Sequence, residues 1–117
     1  MQRLVYALDL HDDPTLIAEY EAWHRAEKIW PPIVASLRAA DILNLEIFRT
    51  GNRLMLIMEV PEHFSPAAKA AADATNADVQ AWETLMWSFQ KALPWAAPGQ
   101  KWVPMQRIFA LADLPAG

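Results

Sequence analysis

The 117-residue chain contains no cysteine and only three glycines. The absence of cysteine excludes disulfide bonds, thiolate metal sites and a cysteine nucleophile, and it fits a reducing compartment. Three scattered glycines exclude the glycine-rich loops that bind phosphate groups. Residues 54–58 form an apolar run far below the roughly 20 residues that span a bilayer, and residues 4–8 are shorter than a signal-peptide core of about seven. We therefore expect a cytoplasmic protein with no membrane partner.

The sequence also has few positively charged residues. Ten Lys and Arg stand against 14 Asp and Glu, which gives a formal net charge of −4. Proteins that bind nucleic acids carry basic patches or stripes, so no nucleic-acid partner is expected. The hydrophobic fraction of 54% and the charged fraction of 21% are typical of a globular chain. Its length predicts a single domain with one core over residues 1–117.

Tryptophan, in contrast, is abundant, with six residues. The side chain is large and amphipathic, and it often lies in ligand pockets and interfaces as well as in cores. In so small a domain, we expect some of the six to line a ligand pocket or an interface.

Alternating apolar residues predict strands over 3–10, 42–49, 53–60 and 102–111. Gly51 and its neighbours predict a hairpin turn between the second and third strands. Pro104 has no backbone N–H group, so the last strand should start late or lie at a sheet edge.

Two helical regions separate these strands. Asp13 and Pro14 predict the start of the first region, whose stripe is expected to include Leu16, Tyr20, Trp23, His24 and Glu27. The prolines after Trp30 should interrupt that helix and begin a short second one.

Ser65 and Pro66 predict the first helix of the second region. Asn76 predicts the start of another helix, which runs to about Ala92. One stripe of that helix is expected to contain the residues Val79, Trp82, Glu83, Met86, Phe89 and Leu93.

The element order is βαββαβ, which predicts an α+β, ferredoxin-like antiparallel sheet with helices on one face. The strand at 54–58 is apolar on both faces, so the face opposite the helices should also be covered. A second copy of the same sheet would cover it, giving a homodimer built around a dimeric α+β barrel. A monomer covered by a long loop is the alternative.

His24 is the best acid–base candidate. It follows Tyr20 by four residues, a spacing that places two side chains over each other on a helix. Histidine titrates near pH 6.5 and can both donate and accept a proton at neutral pH. The alternative is a buried structural histidine with one hydrogen-bond partner. His11 and His63 lie in predicted loops and are expected to be solvated.

The helix after Asn76 offers a second group of candidates, because Trp82, Glu83 and Met86 share one face. The stripe is a pocket wall or simply core, and Glu83 either binds a ligand or reaches solvent at the edge. Asn44 is a further candidate for binding hydroxyl groups, although its strand face is opposite that of Leu45. The sequence contains no metal-binding, P-loop, dinucleotide or nucleophile motif, so no metal and no cofactor are expected.

Several segments together resemble the L-rhamnose mutarotase family. The most specific is the run from Tyr20 to His24 followed by Ile29-Trp30-Pro31. Weaker matches lie at 44–48, 52–54, 80–82 and 106–109, in the same order and with similar spacing, so the resemblance covers nearly the whole chain.

The resemblance implies a dimeric ferredoxin-like α+β barrel without a cofactor that interconverts the α and β anomers of a 6-deoxy sugar. By position, His24 matches the family's catalytic proton donor and Tyr20 its binding tyrosine. Trp82 matches the first of two sugar-stacking tryptophans. We expect Trp30 to form a second aromatic wall, with Glu83, Asn44 and Met86 completing the substrate site.

Two positions depart from the family pattern. Glu83 stands where rhamnose-type members have a second tryptophan, and Leu45 stands where they have a pocket tyrosine. These departures leave the reaction intact and point away from L-rhamnose, with L-fucose as the first alternative sugar. Two other functions stay open on the residues alone: a cofactor-independent oxygenase of the same barrel type, and a non-catalytic dimer that binds a small ligand.

Overall fold

A computed structural model describes residues 1–116. Its longest helix has 11 residues, and within this range no helix has the length and apolar character needed to cross a membrane. Over these 116 residues the chain forms five strands and four α-helices, followed by a short 3₁₀ turn. In chain order they are β1 (Gln2–Leu10), α1 (Pro14–Trp23), α2 (Pro31–Ala39), β2 (Asn44–Thr50), β3 (Arg53–Val60), α3 (Pro66–Ala74), α4 (Ala77–Trp87), β4 (Gln90–Lys91), β5 (Val103–Pro104) and the turn Leu111–Asp113.

The strands form one antiparallel sheet in the order β2-β3-β1, with β4 and β5 both paired to the far side of β1. This order is that of the ferredoxin-like arrangement and confirms the predicted fold class. The predicted hairpin is also confirmed. Thr50 pairs with Arg53 around a two-residue turn, and Gly51 has the positive φ of 54° that glycine adopts without a steric cost.

The predicted helix starts are confirmed by their caps. The Asp13 side chain accepts hydrogen bonds from the N–H groups of Thr15 and Leu16, at 2.9 and 3.1 Å. The Asn76 side chain caps α4 in the same way, with Asp78 and Val79 as donors at 3.0 and 3.2 Å. Each cap satisfies N–H groups that have no partner within the helix.

The predicted stripe of α1 through Glu27 is wrong, because the helix ends at Trp23. The last turn tightens into i to i−3 hydrogen bonds, in which the N–H groups of His24 and Arg25 donate to the carbonyls of Glu21 and Ala22. Glu27 consequently lies in an exposed turn. His24 occupies the C-cap position instead of the middle of a helix.

The predicted extension of α4 to Ala92 is also wrong. Ser88 ends the helix, and its hydroxyl donates to the Leu85 carbonyl at 2.6 Å. The chain then pairs with β1 as strand β4, where Gln90 lies opposite Leu10. Pairing with β1 satisfies the hydrogen bonds of backbone groups that lie far away in sequence. Helical periodicity, a local pattern, does not indicate such long-range pairing.

The last strand is much shorter than the predicted 102–111. Only Val103 and Pro104 form β5, and the N–H of Met105 makes one further bond to the Val5 carbonyl at 2.8 Å. The edge position expected from Pro104 is confirmed, since β5 pairs on one side only.

The main core lies between the helices and one face of the sheet. Leu10 and Leu54 from the sheet pack with buried side chains of the helical layer. Along residues 1–116, each of the four helices comes after β1 or β3 in the chain. The buried residues of the helices all point into the core between the helices and the sheet. From the helices and the chain after α4, the buried members are Tyr20, Ile33, Val79, Trp82, Met86 and Phe89.

Candidate active site

A cavity of about 360 Å³ lies between the helices and the sheet. Small-molecule sites are typically about 300–1,000 Å³, so this one suits a small ligand. The floor is the helix-facing side of the sheet, formed by Tyr6, Leu45, Ile47, Leu56 and Met58. Cross-strand register explains the grouping, because Tyr6 lies opposite Leu56 and Leu56 lies opposite Ile47.

Helices α1, α2 and α4 supply the walls. Ile33 and Leu37 come from α2, and Trp82 and Met86 come from α4. Most of the lining is apolar, with a few polar groups in fixed places, which is the usual composition of a ligand site. Among the polar side chains of the lining, those of His24 and Tyr20 and their neighbours can take part in a reaction.

Tyr20 is almost completely buried, with 3% of its surface exposed. Its ring contacts those of His24 and Phe89, with centroids 4.5 and 6.1 Å away. Its hydroxyl oxygen accepts a hydrogen bond from Nε2 of Gln90 at 3.3 Å. Burial raises the pKa of Tyr20, and the Gln90 hydrogen bond partly opposes that rise. Tyr20 is therefore a neutral phenol at physiological pH.

His24 has one ring nitrogen held by the backbone. Nδ1 lies 2.7 Å from the carbonyl oxygen of Tyr20. A carbonyl only accepts hydrogen bonds, so Nδ1 carries the hydrogen and Nε2 is the nitrogen available to a ligand. Burial lowers the pKa of His24, and the bond to the Tyr20 carbonyl partly opposes this shift. At neutral pH the ring is therefore uncharged, with an Nε2 lone pair that can accept a proton.

The structure brings Trp82 to the cavity and keeps Trp30 one layer away from it. Trp82 is 8% exposed, and its ring meets the ring of His24 edge-on with centroids 5.6 Å apart. Trp30 contacts Trp82 edge-on at 5.2 Å but does not line the cavity. The expected second aromatic wall is thus a support for Trp82.

Glu83 and Met86 both line the cavity, as expected. Glu83 is partly exposed, and its backbone carbonyl lies 3.5 Å from the ammonium group of Lys101, another lining residue. Lys69 and Asp73, which form an ion pair on α3, complete the charged part of the lining.

Asn44 does not reach the cavity. It is exposed on the other face of the sheet, where its side chain lies 3.4 Å from the Glu46 carboxylate. The alternation along β2 explains this placement, because Leu45 occupies the cavity side. The structure therefore does not bring Asn44 together with the other predicted site residues. His63 is exposed and His11 lies outside the cavity.

Tyr6, Gln90 and Trp102 are among the lining residues that the sequence did not predict as part of the site. Tyr6 lies two residues before Leu8 in β1, so both side chains lie on the cavity side of the strand. Gln90 was hidden in the predicted extension of α4. Trp102, which follows the loop before β5, also lines the cavity. The useful signal was that the chain has only two tyrosines, and both face this cavity.

Among the described residues, those that line the cavity do not form a recognisable cofactor-binding motif. Within residues 1–116, no three acidic or histidine side chains come together in a way that would hold a metal ion. The chemistry supported by the geometry is proton transfer between His24, Tyr20 and a bound molecule.

Comparison with known proteins identifies the family. The profile described as L-rhamnose mutarotase matches residues 3–111. The chain belongs to the L-rhamnose mutarotase family. Its resemblance to that family is confirmed, and its activity is sugar mutarotation, the work of a carbohydrate isomerase. A curated L-fucose mutarotase from Xanthomonas campestris pv. campestris is 61% identical over 113 residues, covering 97% of this chain and 90% of the relative.

Solved structures support the same fold for this mutarotase family member. An L-rhamnose mutarotase from Formosa agariphila aligns with a TM-score of 0.68 and 18% identity, over 95% of this chain and 99% of that one. The tetracenomycin F2 cyclase from Streptomyces glaucescens aligns with a TM-score of 0.61 and 10% identity, over 94% and 98%. At these identities the likeness concerns the fold alone. Family membership, in contrast, favours the isomerase over the oxygenase and non-catalytic alternatives.

Proposed function

We propose that the cavity binds L-fucose and that His24 exchanges protons with its anomeric centre. The observation that carries this proposal is the geometry of His24, whose Nδ1 is fixed by a backbone carbonyl while its neutral Nε2 is left for the ligand. The L-fucose mutarotase relative supports the choice of sugar. Both positions that depart from the rhamnose-type pattern, Leu45 and Glu83, line the cavity and therefore bear on substrate choice.

In ring opening, Nε2 of His24 accepts the proton of the anomeric hydroxyl. The bond between C1 and the ring oxygen breaks, and the ring oxygen takes a proton from an acid. Rotation about the C1–C2 bond of the open aldehyde presents its other face. Ring closure reverses the transfers, and the His24 imidazolium returns its proton to the new anomeric oxygen. No proton is gained or lost over the cycle, so His24 acts as base and then as acid.

This order of steps modifies the role expected from the resemblance, in which His24 is a proton donor. The lowered pKa of His24 makes the neutral ring the resting form, so acceptance comes first and donation second. A positioned acid–base group typically contributes about 10²–10⁴-fold to the rate.

The remaining lining suits a deoxy sugar. The face of Trp82 and the apolar side chains of Leu45 and Met86 can cover the methyl group and the C–H face of the ring. Glu83 and Lys101 can bind hydroxyl groups at the charged part of the cavity.

We further propose a homodimer that uses the sheet face opposite the helices. The centre of this outer face is apolar, with Val5, Ala7, Phe48, Met55 and Ile57. Register shows that they point the same way, since Val5 lies opposite Ile57 and Met55 lies opposite both Ala7 and Phe48. Phe48 is 48% exposed. Such a patch marks an interaction surface, and a second copy of the sheet fits it best.

Charged pairs border this patch. Arg3 lies opposite Glu59 at one end of the sheet, and Arg53 binds Asp9 through two hydrogen bonds of 2.7 and 3.1 Å at the other. An apolar centre with a polar rim is the usual anatomy of a protein interface. The segment after β5 adds exposed apolar side chains that a partner would cover: Met105, Ile108, Phe109, Leu111 and Leu114.

The substrate proposal is tested by NMR exchange spectroscopy on the anomeric protons of sugars at equilibrium. We expect the protein to accelerate α/β exchange of L-fucose more than that of L-rhamnose, with D-glucose as the control. Faster exchange of L-rhamnose than of L-fucose would overturn the choice of sugar. No acceleration with any of these sugars would overturn the function at this site.

A further inference from the structure

Gln90 is a buried polar side chain for which the reaction above has no role. It is 5% exposed, it lines the cavity, and its amide donates to the Tyr20 hydroxyl from 70 residues further along the chain. Buried polar groups need partners, and here the partner is a phenol next to His24.

The backbone holds Gln90 firmly. It pairs with Leu10 in the sheet, and the carbonyl of the preceding Phe89 accepts the N–H of His11 at 2.9 Å. The Gln90 amide is therefore carried by a strand beside β1, whereas Tyr20 is carried by helix α1. Two elements of the core meet at this one hydrogen bond.

The direction of the bond determines what Tyr20 can do. Its oxygen accepts from Nε2 of Gln90, so the hydroxyl hydrogen is free to be donated to a ligand. A hydrogen bond donated to the phenol oxygen also stabilises the phenolate, so it makes Tyr20 a better acid than burial alone would leave it.

The geometry points to Gln90 as a positioning residue that makes Tyr20 the acid paired with His24. This inference rests on the proposed function and names the second proton-transfer group. As the C1–O bond of the ring breaks, the ring oxygen takes the Tyr20 proton while Nε2 of His24 takes the anomeric one. On closure, the phenolate recovers its proton from the sugar hydroxyl that attacks C1. The phenolate exists only during the open-chain stage, when Gln90 stabilises it.

A double-mutant cycle with Gln90→Met and Tyr20→Phe tests this role. Methionine keeps the length of the side chain and removes the amide donor. We expect Gln90→Met to lower kcat for L-fucose exchange about tenfold, with KM within about twofold, because Gln90 stabilises the ionising phenol and does not bind the closed-ring sugar. In the Tyr20→Phe background the same change should alter kcat by less than about twofold, because Gln90 acts through the phenol. An equal loss in both backgrounds would overturn the inference.

The ionisation of Tyr20 provides a readout that mere packing does not move. With Tyr6→Phe, only one tyrosine remains, and its ¹³Cζ chemical shift follows its pKa. We expect Gln90→Met to raise that pKa, with circular dichroism over the same pH range as the folding control. An unchanged or lowered pKa would mean that Gln90 does not donate to the phenol oxygen, and it would overturn the inference even if the enzyme is active. An inactive wild-type protein, in contrast, would overturn the proposed function. The titration of Tyr20 does not require enzyme activity, so it would still test the role of Gln90.

Discussion

At the scale of single residues, the end of α1 creates the proposed catalytic group. Because the helix stops at Trp23, the ring of His24 turns back and donates through Nδ1 to the Tyr20 carbonyl. The same fold places the Tyr20 phenol against the imidazole, with ring centroids 4.5 Å apart. A backbone acceptor fixes the tautomer without adding a charge, so burial can keep the imidazole neutral.

The pH dependence of the reaction follows from this burial. The neutral form of His24 is the base, and its pKa lies below the ordinary 6.5. The exchange rate should therefore decline on acidification with a midpoint below pH 6.5, as the ring takes up a proton. Rates of L-fucose exchange measured against pH check this. A decline with its midpoint at or above pH 6.5 would contradict it, and His63→Ala, at an exposed histidine, should leave the profile unchanged.

Glu83 should influence which sugar is preferred. It lines the cavity at the position where rhamnose-type members of the family are expected to carry tryptophan. We expect Glu83→Trp to increase the ratio of L-rhamnose to L-fucose exchange by roughly tenfold, since one altered contact typically changes discrimination by about 10- to 200-fold. Glu83→Gln keeps the shape and removes the charge, so it separates hydrogen bonding from stacking. An unchanged ratio in Glu83→Trp would show that Glu83 does not contact the sugar.

At the scale of elements, α4 supports the site and α3 only borders it. Helix α4 buries Val79, Trp82 and Met86, whereas α3 has no buried side chain. The caps of the two helices therefore differ in their consequences for global stability, although each satisfies backbone N–H groups of its own helix.

Asn76→Ala should lower the free energy of unfolding by about 1 kcal/mol, because it removes the cap of α4. Ser65→Ala removes the cap of α3, whose single bond to Ala68 N–H is 3.1 Å. It should cost less, since α3 can fray without exposing the core. Urea denaturation of both variants provides the comparison. A loss in Ser65→Ala as large as that in Asn76→Ala would contradict the difference between the helices.

The sequence predicted the elements where local signals dominate and failed where long-range pairing does. Asp13 and Asn76 identified two helix starts because caps depend on nearby residues alone. The helical period of the sequence continues past Trp87, but Gln90 pairs with the edge of β1 as a strand. No local feature of the sequence indicates that this edge is available for pairing. The same reason explains the site. His24 and Tyr20 were found from their spacing, whereas Gln90 reaches them only through the fold.

At the scale of the whole molecule, the two faces of the sheet have different tasks. One face forms the floor of the cavity, and the other presents an apolar centre that the helices do not cover. In the proposed dimer, Ile57→Asp would introduce one carboxylate from each protomer. The two carboxylates would lie against each other or against the partner's apolar side chains, where an unpaired charge is costly. We expect this variant to be a monomer at micromolar concentration in analytical ultracentrifugation and the wild-type protein to be a dimer.

Ala71→Asp is a matched control, because Ala71 is exposed on α3 and lies on the helical side of the sheet. It should leave the dimer intact. A monomeric wild-type protein, or a dimer that survives Ile57→Asp, would show that the outer face does not form the interface.

The proposed reaction depends most on His24, the group that moves the proton. NMR exchange spectroscopy of L-fucose with matched amounts of wild-type, His24→Ala and His63→Ala protein tests this directly. We predict that His24→Ala reduces the protein-dependent exchange rate by about 10²–10⁴-fold, with an unchanged circular dichroism spectrum, and that His63→Ala retains the wild-type rate. A folded His24→Ala protein that exchanges the anomers at the wild-type rate would contradict the account.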